Sequence, residues 1–261
     1  GCRAELPAWL DANRSELAPR YALPGTLDDH VAQMQRVKKI LHQSGWMQLG
    51  WPERVGGRGG SPMLRTELGA GQDTPLVGVV GRLVEDKGQD DFLRAAATVK
   101  KRHPRSLFLL AGSGTAEPAL RDLAGRLDLG DSVRFLGFRD DVPEVTAALD
   151  VSVLPSVDCD ASSAALKEAL ACGVPVVATD VGGAAEIVDA GRTGLIVPKR
   201  SPQKLAAAIL SLLDDPAAAR AMGALGRGAM PERFSPDRLV EETLAAYRSV
   251  LALHHVGSPV R

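Results

Sequence analysis

Two carboxylates eight residues apart, Asp160 and Glu168, are the side chains of this sequence best suited to chemistry. Residues 155–160 are typical of a strand end followed by a polar turn. Residues 163–172 are typical of an amphipathic helix that a glycine ends. The start of such a helix offers unpaired backbone N–H groups and the positive end of the helix dipole. This combination favours a ligand that carries both an anionic group and hydroxyl groups.

Both carboxylates also have a structural interpretation. Asp160 either caps the following helix or binds a hydroxyl group of a ligand. Glu168 is expected to be partly buried, because its helical neighbours are mostly Ala and Leu. A partly buried carboxylate needs a partner, which is either a ligand or a structural cation such as Arg82. The sequence leaves these alternatives open.

The elements that must position these residues alternate between strand and helix from residue 75 onward. Short apolar runs predict parallel strands that are covered on both faces. The predicted strands are Leu76–Val80, Ser106–Ala111, Val133–Leu136, Val151–Leu154, Val174–Ala178 and Gly194–Val197. The predicted helices are Asp90–Lys101, Glu117–Leu127, Val142–Ala148, Ser163–Cys172, Ala184–Val188, Pro202–Leu213, Ala217–Met230 and Pro236–Ala252. The pattern predicts an α/β fold, a doubly wound, Rossmann-like parallel sheet of about six strands.

A change of composition places a domain boundary near residue 70. All three tryptophans lie in the first fifth of the chain, and glycine-rich runs follow at 56–62 and 69–75. Helical spacing of apolar residues dominates before the boundary. The sequence therefore predicts a small helical N-terminal segment over 1–70 and an α/β domain over 71–261.

Basic side chains follow the first predicted strand. Ligands of an open α/β sheet bind beyond the carboxyl ends of its strands. Arg82 and Lys87 leave that strand end and can clamp a diphosphate. The alternative is a solvated loop in which Lys87 pairs with Glu85 or Asp86.

Glycines and one aromatic residue follow the next two strands. Gly112 lies in a tight turn that suits either a strand-to-helix connection or a close approach to a ligand. A dinucleotide-binding fingerprint would need glycine at the position of Glu117, so that interpretation is weak. Phe138, directly after Gly137, can stack on a base or cap the core.

Composition excludes several classes of function. The formal net charge is −1, so no overall field attracts nucleic acid or an anionic membrane. No apolar run approaches the roughly 18 residues of a membrane span. No His, Asp or Glu cluster has zinc spacing, and three cysteines without metal spacing indicate a reducing cytoplasm. We expect a cytoplasmic protein without a metal.

Taken in order, these motifs resemble the donor-binding domain of GT-B glycosyltransferases. The resemblance covers about residues 75–252 and is closest to the large retaining family that includes sucrose and mannosyl transferases. It rests on the segments 81–83, 87–88, 111–114, 135–138, 155–156, 168–179, 182–183, 186–188 and Gly194. It implies a glycosyltransferase of the hexosyltransferase type. Such an enzyme moves a sugar from a nucleotide-diphosphate sugar to an acceptor with retention, without metal or further cofactor.

The resemblance also implies roles for individual residues. Arg82 and Lys87 would neutralise the donor diphosphate, and Glu168 would bind the ribose hydroxyls. Gly137 and Phe138 would lie near the base. Gly112 belongs to one of the matching motifs and is counted with the donor-binding residues.

The helix start would meet the phosphate or sugar through its backbone N–H groups, at Ser162, Ser163 and Ala164. Asp160 falls where this family usually has Glu, the first acid of a pair that touches the transferred sugar. Asp is one methylene shorter, which leaves its reach and role open. The usual Gly-Phe-Gly-like segment is here 161–163, which leaves the identity of the sugar open.

Residues 5–68 resemble the start of acyl-CoA dehydrogenases. The distinctive part is the Trp-Pro-Glu-x-x-Gly-Gly string at 51–57. That family's flavin contacts and catalytic base lie in later domains, which do not follow in this sequence. The segment is therefore interpreted as a helical appendage or fusion remnant, with no dehydrogenase activity.

The functional alternatives follow from what precedes residue 75. A GT-B enzyme has its acceptor domain first in the chain, and here a short dehydrogenase-like segment stands in that place. The sequence leaves open a glycosyltransferase, with activity reduced or lost, and a non-catalytic nucleotide-sugar-binding module. A flavin oxidoreductase is the weakest alternative. The acceptor, whether glycan, lipid or small molecule, and any peripheral membrane contact would require a further domain or partner.

Overall fold

The computed structural model describes residues 11–18, 33, 36–37, 61–71, 73–158 and 160–255. These residues belong to two compact units, 1–72 with 140–148 and 73–139 with 149–261. Most of the predicted helical N-terminal segment, including the dehydrogenase-like string at 51–57, lies outside the described residues. The predicted boundary near residue 70 stays a prediction.

The described helices, in chain order, fall on both sides of the domain boundary expected from the sequence. They are α1 (Arg14–Leu17), α2 (Ser61–Glu67), α3 (Gln89–Arg102), α4 (Glu117–Arg126), α5 (Val142–Ala148), α6 (Ala164–Ala171), α7 (Ala184–Ile187), α8 (Pro202–Asp214), α9 (Pro216–Arg233) and α10 (Pro236–His255). Within the described ranges, no helix is both long enough and apolar enough to cross a bilayer. Helices α1, α2 and α5 belong to the first unit, where the Arg65 guanidinium donates to the Ala148 carbonyl at 2.8 Å.

The second unit is built on one six-stranded parallel sheet, which confirms the predicted fold class. Its strands are β1 (Leu76–Val80), β2 (Leu107–Ala111), β3 (Val133–Gly137), β4 (Val151–Leu154), β5 (Val176–Thr179) and β6 (Gly194–Val197). The spatial order is β3-β2-β1-β4-β5-β6. The chain thus moves outward from β1 to β3 and then returns to the other side of β1. This reversal between β1 and β4 creates the crevice in which open α/β sheets bind ligands.

The strand boundaries differ from the expected ones by at most two residues. The central strands β1, β2, β4 and β5 are almost entirely buried, as continuous apolar runs predict. β5 begins at Val176, two residues late, directly after Pro175, which has no N–H to give to the ladder. α9 extends past the expected end at Met230 and includes Pro231 in its last turn.

The main core lies between the sheet and the helices α3, α4 and α8. The rings of Phe92 and Phe108 meet edge to face there, with centroids 6.2 Å apart and planes at 73°. Leu205 and Ile209 of α8 are buried in the same cluster. Helix α8 therefore covers the same face of the sheet as α3, although more than 90 residues separate the two in sequence.

Phe92→Ala should lower the free energy of unfolding by about 3–5 kcal/mol, since it removes a fully buried ring and leaves a cavity. Phe138→Ala is the matched control, because that ring is 81% exposed. Its effect should stay within about 0.5 kcal/mol. Urea unfolding followed by circular dichroism measures both, and equal losses would contradict the assignment of the core.

Candidate functional site

A cleft of about 150 Å³ lies at the carboxyl ends of β1 and β4, where the strand order reverses. We call it the β1–β4 cleft. Its lining residues are Val79, Val80, Gly81, Lys87, Gln89, Leu154, Pro155, Asp160, Ser163, Ala164 and Ala165. A larger cleft of about 600 Å³ beside β6 and α9 is lined by none of the predicted site residues. The chemistry-bearing residues therefore indicate the smaller cleft.

A partly buried ion pair forms one wall of the β1–β4 cleft. Lys87 Nζ lies 2.9 Å from Asp160 Oδ2, and the two side chains are 20% and 12% exposed. The Ser156 hydroxyl donates to the same carboxylate oxygen at 3.2 Å. Lys87 thus pairs across the crevice, rather than with Glu85 or Asp86 of its own loop. The interpretation of this segment as a simple solvated loop is wrong.

The turn that presents Lys87 is held by backbone contacts with the loop after β4. Residues Glu85–Lys87 form one 3₁₀ turn, which ends at Gly88 with φ +63°. A Cβ on Gly88 would lie 2.0 Å from the Pro155 carbonyl oxygen, so both the left-handed backbone and the close approach require glycine. The Val157 N–H also donates to the Asp86 carbonyl at 2.9 Å. These contacts fix the cation relative to the carboxylate.

Asp160 is held from the other side by the turn after β5. The Gly183 N–H donates to the Asp160 carbonyl at 3.1 Å. A Cβ on Gly182 would lie 2.3 Å from that same carbonyl oxygen. The Thr179 hydroxyl lies 2.5 Å from the Ser156 carbonyl and donates to it, which fixes the start of the same loop. The loop that carries Asp160 therefore packs directly against the backbone of the glycine pair at 182–183.

Helix α6 begins at the cleft, and Asp160 is not its cap. Ser163 is the N-cap, and its buried hydroxyl accepts a hydrogen bond from the Leu166 N–H at 3.4 Å. The first intrahelical bond runs from Lys167 N–H to the Ser163 carbonyl, so the N–H groups of Ala164 and Ala165 precede it. Both alanines line the cleft. The capping interpretation of Asp160 is therefore wrong, and its carboxylate is used by Lys87 and Ser156.

The structure brings Lys87, Asp160, Ser163 and Ala164 to one cleft, but Arg82 and Glu168 are not among its lining residues. The Arg82 side chain is exposed. Its carbonyl accepts a hydrogen bond from the Gln89 amide at 2.7 Å. An ion pair between Arg82 and Glu168 is not formed.

Glu168 has a different environment from the one that its neighbours in sequence predicted. The residue is exposed on α6, and no partner of its carboxylate is recorded within the described ranges. Desolvation by the surrounding protein nevertheless raises the pKa of the Glu168 carboxyl above its ordinary value. The expected structural partner is therefore absent from the described residues, and the carboxylate is open to a ligand.

The remaining predicted residues lie at the ends of β2 and β3. The Gly112 N–H donates to the Gly137 carbonyl at 2.8 Å, which joins the two strand ends. Phe138 follows with its ring 81% exposed, so the interpretation as a cap of the core is wrong. Ser162 is also exposed, and its hydroxyl accepts a hydrogen bond from Lys167 Nζ at 2.6 Å.

Sequence reasoning missed Gln89 and gave Ser156 no role of its own, although Ser156 lies in one of the matching segments. Gln89 is 2% exposed and lines the cleft at the first position of α3. A polar residue that opens a helix directly after the basic loop was the available signal for Gln89. Ser156 is fully buried beside Asp160, and its only signal was the Pro-Ser step at the end of β4. Both residues supply hydrogen bonds that hold the charged pair and its loops.

Together these groups form a site for an anion with hydroxyl groups nearby. The Lys87 ammonium, the start of an eight-residue helix and the Ser163 hydroxyl line the β1–β4 cleft, and the Ser156 hydroxyl is hydrogen-bonded to Asp160 beside it. Within the described part of the chain, no three His, Cys, Asp or Glu side chains are grouped so as to hold a metal ion. The charged atoms present fit a phosphate group, which a helix start and a lysine both stabilise.

Comparison with known proteins identifies a family and several relatives. The profile of the family described as "Glycosyl transferases group 1" matches residues 62–228. A GDP-mannose-dependent monoacylated alpha-(1-6)-phosphatidylinositol monomannoside mannosyltransferase of Corynebacterium glutamicum is 37% identical over 66% of this chain and 46% of its own length. A D-inositol 3-phosphate glycosyltransferase of Acidothermus cellulolyticus is 40% identical over 78% of this chain and 47% of its own length. The chain thus spans about half the length of these relatives.

Solved structures agree with the fold. Anabaena HepE, in complex with UDP and glucose, superposes with a TM-score of 0.66 and 30% identity, over 71% of this chain and 51% of that protein. Sucrose-phosphate synthase from Thermosynechococcus elongatus gives a TM-score of 0.64 and 32% identity, over 72% of this chain and 48% of the synthase. The comparisons do not support the likeness of residues 5–68 to acyl-CoA dehydrogenases, which stays a prediction.

Gly88→Ala should lower the free energy of unfolding by more than about 1 kcal/mol, because it combines backbone strain with a clash against Pro155. Gly191→Ala is the control, since Gly191 has φ +81° and open space around its Cβ position. Gly191→Ala therefore introduces backbone strain without a clash, and it should lower the free energy of unfolding by less than Gly88→Ala does. Urea unfolding of both variants gives the difference, and equal costs would show that the contact between the two loops is not tight.

Proposed function

This chain belongs to the group 1 glycosyl transferases, and from this membership we propose that its second unit binds a nucleotide-diphosphate sugar for transfer of the sugar. The observation that carries the proposal is the Lys87–Asp160 pair at the start of α6, at the reversal point of the sheet. HepE, 30% identical, carries UDP and glucose in its solved structure, which supports a nucleotide sugar as the donor here.

Lys87 would bind the diphosphate of the donor. Its ammonium is partly buried and paired with a carboxylate, so a phosphate must take the place of Asp160 as its counterion. Cleavage of the sugar–phosphate bond increases the negative charge on the departing diphosphate. Lys87 and the start of α6 would stabilise that charge more strongly in the transition state than in the ground state. Arg82, exposed on the same loop, would add a second cation from outside the cleft.

Asp160 would then turn from counterion to ligand of the sugar. Once Lys87 binds phosphate, the carboxylate is free to accept hydrogen bonds from sugar hydroxyls, as the first acid of the family's pair. Its shorter side chain keeps it closer to the backbone, which Gly183 holds in place. Glu168, exposed on α6, would accept the ribose hydroxyls, and the exposed Phe138 ring would stack on the base, near Gly112 and Gly137.

The reaction that we propose proceeds with retention and without metal. The bond from the sugar carbon to the phosphate oxygen breaks, and a bond from the acceptor oxygen to that carbon forms on the same face. The acceptor proton passes to the departing diphosphate. The chain spans 46–47% of the length of its relatives, and the acceptor would be held by a further domain or partner. A donor-binding module without activity of its own is the second candidate function, favoured by the small volume of the β1–β4 cleft, about 150 Å³.

Two substitutions in the ion pair test the donor site. Lys87→Met should raise the dissociation constant of UDP or GDP about tenfold or more, since a charge-assisted bond to phosphate contributes about 1.5–3 kcal/mol. Asp160→Asn should lower that constant several-fold, because phosphate no longer competes with a carboxylate for Lys87. Titration calorimetry with UDP, GDP and ADP measures both effects and identifies the base.

Lys204→Met serves as the control for these measurements, because Lys204 is exposed and lies outside the cleft lining. It should leave nucleotide binding unchanged. Weaker binding by Asp160→Asn, equal to that of Lys87→Met, would contradict competition for the ammonium. If the wild-type protein binds none of the three nucleotides, the proposed function is wrong. Hydrolysis or transfer from nucleotide sugars, with and without acceptors, then distinguishes an enzyme from a binding module.

Glu168→Gln tests the ribose contact. Wild-type protein should bind UDP more tightly than 2′,3′-dideoxy-UDP, and this preference should be clearly smaller in the variant, because a neutral amide oxygen accepts hydrogen bonds more weakly than a carboxylate. The preference of the wild type should also fall at acidic pH, since desolvation raises the pKa of the Glu168 carboxyl. Titrations of both ligands across the acidic range provide the measurement.

The stability of the same variant gives an independent check. A carboxyl whose pKa is raised by folding favours the native state below its unfolded pKa, and that contribution is lost as pH rises through the folded value. Glu168→Gln should therefore cost no stability at neutral pH. A clear loss there would show that the carboxylate has a structural partner after all.

A further inference from the structure

The loop between β4 and α6 has a second attachment, at Ser162. The Gly183 N–H holds Asp160 through a hydrogen bond to its carbonyl. Ser162 lies farther along the loop, and its side chain is exposed. Its hydroxyl accepts a hydrogen bond from Lys167 Nζ at 2.6 Å. The attachment is local, because Lys167 is the fourth residue of α6, the helix that this loop enters.

The position of Lys167 in α6 does not favour a positive charge. A cation in the first turn of a helix opposes the helix dipole and is unfavourable there. Within the described residues, no carboxylate lies at ion-pair distance from the Lys167 ammonium. The contacts that hold this ammonium must therefore be of another kind.

An aromatic ring supplies that contact. Lys167 Nζ lies 5.0 Å from the centroid of the Phe234 ring, which directly follows α9. The Arg233 guanidinium lies 5.2 Å from the same centroid. Arg233 also donates to the Ile187 carbonyl at 3.1 Å and to the Glu186 carbonyl, both in α7. These bonds hold the Arg233 guanidinium beside the ring, and the Lys167 ammonium over the ring is attracted by its negative face.

The hydrogen bond from Lys167 determines what Ser162 can offer to a ligand. An ammonium has only protons to donate, so it must occupy a lone pair of the Ser162 oxygen. The hydroxyl proton of Ser162 then remains available as a donor. Ser162 is exposed and is not itself a lining residue, but it lies in the loop between Asp160 and Ser163, which both line the β1–β4 cleft, so its free proton is directed to solvent at the edge of that cleft.

We propose that Lys167, held by Phe234, is a positioning residue that fixes Ser162 as a hydrogen-bond donor to the sugar of the nucleotide sugar. The proposal rests on the proposed function of the donor site. Ser162 contacts the sugar and contributes to the choice among sugars, and Lys167 acts only through it. The diphosphate does not depend on this pair, because Lys87 and the start of α6 bind it.

Calorimetry of paired ligands tests the proposal: UDP against UDP-glucose and GDP against GDP-mannose, with the 261-residue chain. For the pair that the wild type binds, Lys167→Met and Ser162→Ala should each weaken binding of the nucleotide sugar about fivefold. Binding of the nucleotide diphosphate should change less than twofold. The double variant should be no worse than either single variant, since both remove one donor. Lys167→Arg should restore most of the lost affinity, and Phe234→Leu should behave like Lys167→Met.

The outcomes separate the two proposals. Lys204→Met controls for the loss of one positive charge and should change neither ligand. Equal weakening of diphosphate and sugar by Lys167→Met would indicate a general charge effect and overturn the positioning role, as would additive losses in the double variant. Unchanged affinity in Lys167→Met would overturn it as well. Failure of the wild type to bind any nucleotide or nucleotide sugar would overturn the proposed function itself. Circular dichroism confirms that each variant is folded.

Discussion

The reversal of strand order between β1 and β4 is the constraint on which the site depends. Parallel strands present all their carboxyl ends at one edge of the sheet, and the loops at the reversal point leave that edge in opposite directions. Only there can a cation from the loop after β1 meet a carboxylate from the loop after β4, 73 residues later. The close contact of Gly88 with Pro155 keeps the two loops at that distance. The strand order thus brings Lys87 and Asp160 to the same edge of the sheet, and the packing of the two loops sets the distance between them.

The ion pair itself is poised for exchange. Burying two charges costs solvation energy, and a buried pair of this kind is weak evidence for stability. Lys87 and Asp160 retain some access to solvent, and Asp160 has a further donor in Ser156. A phosphate that replaced the carboxylate, as we propose, would meet an ammonium that is already partly buried and oriented. Preorganisation of this kind stabilises developing charge without reorganisation during the reaction.

The fold follows from sequence because it depends on local patterns. Six short apolar runs alternate with amphipathic helical segments, and few arrangements of a sheet can bury all six runs. Every strand accordingly lies within two residues of its expected bounds. The site is different, because its distances depend on contacts between loops. The sequence indicated Lys87 and Asp160 as candidate site residues, but it did not indicate that they pair with each other. Glu168 was expected to be partly buried, with a ligand or a structural cation as partner, because its neighbours in α6 are mostly Ala and Leu. The structure leaves it exposed, although desolvation by the surrounding protein still raises the pKa of its carboxyl. The roles of Gln89, Ser156 and the glycine pair at 182–183 became recognisable only through tertiary contacts.

The dimensions of the β1–β4 cleft bear on what a single unit of this size can do. A volume of about 150 Å³ is below the several hundred cubic ångströms of pockets that enclose a whole small molecule. A nucleotide sugar would therefore place its diphosphate in the cleft and lay its base and sugar on the surface. The exposure of Phe138, Ser162 and Glu168 agrees with that placement. Sugar transfer, however, needs an acceptor held against the donor and water kept away from the reacting carbon. The second unit would thus supply the donor-binding part of the proposed function, whereas selective transfer requires a surface that covers the sugar.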